Sequence, residues 1–92
     1  MTMHRLIRSA EYDLIRDVAV SITRGVEFDL DEYQHEGSIG NVGNQKAMVR
    51  EYLLTWDAFT QTLDDMPVDE QDDCIDDMVN EVYDAVDDLL RE

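Results

Sequence analysis

Between Val68 and Leu90 the chain can bury only one side of itself. Ile75, Met78, Val79, Val82, Val86, Leu89 and Leu90 recur at helical spacing. At about 100° per residue they fill an arc of roughly 120°. Outside that arc the segment is acidic. Residues 72–90, DDCIDDMVNEVYDAVDDLL, hold eight Asp and Glu side chains and no Lys or Arg. A strand would alternate these residues differently, and a fully buried helix would have to desolvate the carboxylates. The segment therefore predicts an amphipathic helix from about Val68 to Leu90. Pro67 suits its start, and Asp69 and Glu70 suit the positive end of its dipole.

The acidity is concentrated in the second half. Residues 1–46 carry eight acids against five cations, a net of −3, and residues 47–92 carry fifteen against two, a net of −13. The formal total of −16 argues against direct binding to nucleic acid or to an anionic membrane surface, and for attraction to basic surfaces. An apolar fraction of 43% is ordinary for a globular chain, so the acidity does not imply disorder. Cys74 is the only cysteine, which excludes an internal disulfide and makes a reducing compartment the default. No apolar run near Met1 has the length of a signal peptide, and none approaches a membrane span. A single soluble domain over residues 1–92, located in the cytoplasm, is the expectation.

Residues 44–63 read as one further helix: Met48, Tyr52, Trp56, Phe59 and Leu63 step by three and four, with Asn44 available as N-cap. Leu54, Ala47 and Ala58 fall on its other side and suggest a second neighbour. GSIGNVG, residues 37–43, is the longest loop signal. Asp29 and Glu32 have capping-box spacing for a short helix over Leu30–Glu36. The N-terminal third admits two readings. Met3, Ile7, Ala10, Leu14, Val18 and Ile22 suit a helix closed by Gly25 at its C′ position. Val18, Val20 and Ile22, followed across Thr23-Arg24-Gly25 by Val26, Phe28 and Leu30, also suit a β-hairpin. The fold class expected is mostly α, a small bundle of three to four helices, becoming α+β if the hairpin forms.

No motif in the chain carries catalysis, and the protein is not expected to be an enzyme or to hold a cofactor or metal. GSIGNVG lacks the spacing and the Lys of a phosphate loop, and reads as a connection. His4 and His35 have no partners at metal-ligand spacing. Asp29, Asp31 and Glu36 do not make a calcium loop. Cys74 sits among acids that would oppose a thiolate, so it reads as a packing residue. Met48, Tyr52, Trp56 and Phe59 read as core, with a partner surface as the alternative.

The candidate site is the acidic face itself. Asp73, Asp76, Asp77, Glu81, Asp84, Asp87 and Asp88 lie opposite the apolar arc, with Asp69 and Glu70 extending the row. From Asp73 to Asp88 the rise is about 22 Å, giving roughly one charge per 3 Å, against about one per 3.4 Å along a DNA strand. The arrangement works against the helix. The like-charged pairs Asp72/Asp76, Asp73/Asp77, Asp77/Glu81 and Asp84/Asp88 each cost about 0.2–0.5 kcal/mol. Asp is a poorer helix former than Glu, and Asp87 and Asp88 occupy the negative end of the dipole.

A short chain with the acidic helix DDCIDDMVNEVYDAVDD resembles the small acidic phage proteins that block host defences, including DNA-mimicking anti-CRISPR proteins. The resemblance covers charge, size and the last third of the chain. It implies an inhibitor of a basic nucleic-acid-binding protein or complex, such as a CRISPR effector, acting in the cytoplasm of the host cell. Two other readings stay open. One is an acidic antitoxin, immunity protein or chaperone that binds a basic partner outside any nucleic acid groove. The other is a salt-adapted domain, although salt adaptation should spread acids over the whole surface.

Overall fold

The computed structural model describes residues 2–91, and side chains from residue 12 onward. Among these residues five helices run in order: α1 Thr2–Thr23, α2 Leu30–Ser38, α3 Val42–Leu53, α4 Asp57–Asp64 and α5 Val68–Arg91. No strand occurs among the described residues. The expectation of three to four helices is thereby corrected to five, and the hairpin alternative for residues 18–30 is set aside.

Burial decides the hairpin question. Val18, Ala19 and Ile22 are fully buried on one side of α1, while Val20 lies half-buried on its flank. Alternation was thus the shadow of a helix touched on more than one side. A helix also pairs its backbone groups within one segment, where a two-stranded ribbon leaves edges open. Closure follows the Schellman pattern. The Val26 N–H donates to the Ser21 carbonyl at 2.9 Å, and the Gly25 N–H to that of Ile22 at 3.0 Å. Gly25 takes φ +69°, a conformation that glycine enters without a Cβ penalty. Met3, His4, Ile7 and Ala10 lie outside the residues whose side chains are described.

α2 begins as its capping residues require. The Glu32 N–H donates to the Asp29 carboxylate at 3.0 Å. The segment read as the longest loop is mostly helical, since α2 continues to Ser38 and α3 starts at Val42. Asn41, rather than Asn44, caps α3, accepting from the Asn44 N–H at 3.4 Å. The single helix expected over 44–63 is interrupted. Trp56 adopts an extended backbone (φ −86°, ψ 114°), and the Thr55 hydroxyl donates to the Tyr52 carbonyl at 2.6 Å. An unbroken helix of that length would run about 30 Å. The break instead turns α4 back toward α5, which starts after three intervening residues. Periodicity could not reveal this, because Tyr52, Leu53, Phe59 and Leu63 are buried on both sides of the break. Leu54, Ala47 and Ala58, read as a second contact face, are exposed.

One cluster of buried side chains draws on all five helices. α5 packs along α1 and against α3, and α2 packs on α3. Val18 and Ile22, Val49 and Leu53, Phe59, and Val82 and Val86 are the largest fully buried side chains. Tyr52 and Phe59 are core residues, with Met48 and Trp56 half-buried against them. Phe28 meets Tyr33 and Tyr52 edge-on at centroid distances of 5.6 and 5.3 Å, and the Tyr52 hydroxyl donates to the Val26 carbonyl at 2.8 Å. These contacts hold the turn between α1 and α2 against the core.

Candidate interaction surface

α5 presents the acidic row because its opposite side is committed to the core. Ile75, Met78, Val79, Val82 and Val86 are buried, which fixes the rotation of the helix. The start of the helix is tied to α4. The Gln71 amide nitrogen donates to the carbonyls of Leu63 at 2.9 Å, in the last turn of α4, and of Met66 at 3.2 Å, in the connection that follows.

With that rotation, Asp69, Glu70, Asp73, Asp76, Asp77, Asp84, Asp87 and Asp88 are all exposed. Asp72, placed nearer the apolar boundary by spacing, is exposed as well. Glu81 differs from the rest of the row. It is half-buried and already engaged within the protein. Asp87 is also partly engaged, accepting from the Arg91 guanidinium at 2.9 Å one helical turn on. That pair is largely exposed and contributes at most about 1 kcal/mol. Among the described residues no three His, Cys, Asp or Glu side chains converge as a metal site would require. The carboxylates are spread along a rod, which suits an extended cationic surface better than a point ligand. His35 is exposed, and Cys74 is half-buried against the core.

Beside the C-terminal half of this row lies a groove of about 380 Å³ that spacing did not reveal. Its lining comes from α2 (Tyr33, Gly37), α3 (Val42, Gln45) and α5 (Tyr83, Asp87, Leu90), among others. Gln45 forms the floor and is only 6% exposed. Its amide nitrogen donates to the Tyr33 carbonyl at 2.9 Å, and its Oε1 accepts from the Tyr83 hydroxyl at 2.9 Å. One side chain thus ties together α2, α3 and α5. The Lys46 ammonium, from the only lysine in the chain, lies 5.3 Å from the centre of the Tyr83 ring. A polar residue on the buried side of α3 was the available signal, but nothing local showed what it would meet.

Gly37 is required by that floor. A Cβ there would stand 2.6 Å from the Gln45 amide nitrogen and 3.4 Å from its carboxamide carbon. Because Gln45 is held at both ends, it cannot move aside without losing a hydrogen bond. Gly37→Ala is expected to cost about 1–2 kcal/mol, even though Ala is the better helix former. Urea denaturation of the two proteins measures this.

Burial raises the Tyr33 phenol well above its ordinary value of 10.0, and the neighbouring Tyr83 and the Asp87 carboxylate add to the effect. Above that pH the unfolded chain releases a proton that the folded chain still holds, so stability falls as pH climbs. Tyr33→Phe removes the linkage. Melting temperatures of the two proteins, compared at roughly pH 8 and pH 11, should diverge at the higher value in favour of the variant.

Comparison of the chain with protein-family models, curated proteins and solved structures gives no match. No helix among the described residues is long and apolar enough to cross a membrane.

Proposed function

We propose that the protein is an inhibitor whose acidic α5 face imitates a nucleic acid backbone and occupies the basic groove of a nucleic-acid-binding protein or complex, such as a CRISPR effector. The observation that carries this reading is the one-sided row of exposed carboxylates between Asp69 and Asp88, interrupted only at the half-buried Glu81, whose mean density of about one charge per 3.6 Å is near that of DNA phosphates. Its short Asp side chains sit close to a helix anchored by five buried residues, so little freedom is lost when a partner closes on them. A surface kept only for solvation has no reason to hold like charges one turn apart.

The test is competition. Duplex and single-stranded DNA, and RNA, should displace the protein from its partner. Binding should weaken steeply between about 50 and 200 mM salt, as it does for phosphate-dominated contacts. Persistence of the complex under excess nucleic acid would remove the reading.

A second reading has its own support. Ile39, Val42 and Leu90 are large apolar side chains left exposed, the last two on the walls of the groove beside the acids. Such a surface fits an acidic antitoxin, immunity protein or chaperone that grips a basic partner outside its nucleic acid groove. In that case nucleic acid fails to compete, and Leu90→Ser harms binding more than loss of a single carboxylate does.

A further inference from the structure

We infer that the groove between α2, α3 and the C-terminal half of α5 receives a short segment of a basic partner protein, with an arginine side chain on its floor and an adjoining aliphatic residue on its rim. The chemistry of the lining selects this occupant. Asp87 supplies a carboxylate on one wall and the half-buried Tyr83 part of its ring, while Tyr33 is buried and the Tyr83 hydroxyl is taken by Gln45. A purely apolar occupant would strip water from Asp87 and offer nothing in return. An anion would face Asp87 directly, with Asp84 and Asp88 exposed on the same helix, against the single ammonium of Lys46 at the Tyr83 ring. A cation is therefore selected.

Arginine fits better than lysine. A planar guanidinium can pair with a carboxylate through two N–H groups and lie against aromatic faces, while its aliphatic stem covers apolar surface. The chain itself shows that the Asp87 carboxylate accepts a guanidinium, since one Arg91 nitrogen already reaches it at 2.9 Å. Arg91 is 75% exposed, so an incoming guanidinium can replace it.

The apolar half of the occupant follows from the rim. Val42 is 43% exposed and Leu90 39%, and Ile39, in the connection just before α3, is 62% exposed. Covering these with an aliphatic side chain removes apolar surface from water, while the rest of the partner lies along the acidic row. The inference shares with the proposed function the premise of a basic protein partner. It differs in giving the surface a means of choosing among basic partners, which a row of charges alone lacks.

The experiment uses the full chain, labelled with nitrogen-15 and titrated at low ionic strength with two blocked peptides of equal charge. One is Arg-Leu-Arg and the other Lys-Gly-Lys. The first should shift the amides of Gly37, Val42, Gln45 and Leu90, and should bind about tenfold more tightly than the second. The second should shift only the outward residues of α5. The pair of changes Asp87→Asn and Leu90→Ser, both on exposed side chains, should abolish the preference, whereas Asp77→Asn should leave it intact. Equal affinities, shifts confined to the outer face of α5, or a preference that survives the double variant would each overturn the inference. Nucleic acid competition for the natural partner reads the mimicry separately. Peptide preference without competition leaves the groove standing and removes the mimicry, and competition without peptide preference does the reverse.

Discussion

Changing Asp73, Asp77, Asp84 and Asp88 together to Asn should weaken the protein's hold on its partner while making the fold more stable. The formal charge falls from −16 to −12 when four carboxylates are neutralised. All four side chains are exposed on the outward side of α5. If each faces a partner cation, the individual contributions are those of exposed pairs, about 0.2–1 kcal/mol. Their sum, about 1–4 kcal/mol, corresponds to a loss of roughly 5- to 1,000-fold in affinity, with much of it in the association rate. Stability should move the other way. The repulsive pairs Asp73/Asp77 and Asp84/Asp88 disappear, and Asp77 no longer opposes Glu81, for a gain on the order of 1 kcal/mol. In a domain of this size that raises the melting temperature by roughly 4–8 °C. The opposed signs make the experiment decisive. A variant that is more stable, folded and still binds with native affinity would show that the row has no part in recognition.

The largest loss of stability is expected from Phe59→Ala, at about 3–5 kcal/mol. Phe59 is 1% exposed and is the largest of the fully buried side chains. It sits on α4, an eight-residue helix whose N-terminus has no side-chain cap. So short a helix draws its stability from packing rather than from propensity. Its other ties to the body are the buried Leu63 and the hydrogen bonds from Gln71. Removing the ring leaves a cavity and loosens the corner that orients the start of α5. For a chain of this length total stability is on the order of 5–14 kcal/mol, so the variant forfeits a large share of it. Chemical denaturation with a far-UV signal measures the effect. A change under about 1 kcal/mol would mean that α4 contributes little to the core.

How far local pattern reaches is clearest in three places. The Asp29 cap, the Gly25 closure and the long C-terminal helix were legible because each depends on residues within one or two turns. The break at Trp56 was not. Nothing in Leu54-Thr55-Trp56 is a strong helix breaker, and the apolar spacing continues across it as though the helix were whole. Likewise Gly37 and Gly43 looked like a flexible connection, yet both lie within helices, and Gly37 is needed so that Gln45 can approach. Gln45 comes from the next helix, and no spacing within either helix shows that the two meet.

The same division runs through the interaction surface. That α5 is a helix with carboxylates on one side follows from spacing, because helical geometry converts residue number directly into angle. Which side faces outward follows too, since the apolar arc has only the interior to occupy. The groove is of another kind. Tyr33, Gln45 and Tyr83 are separated by 12 and 38 residues and meet only when three helices converge. So are the engagement of Glu81 within the protein and the exposure of Val42 and Leu90 next to Asp87. Angles around one helix are a local property of the backbone. Distances between helices depend on how every buried side chain fills the shared core, and that is settled only when the whole chain has packed.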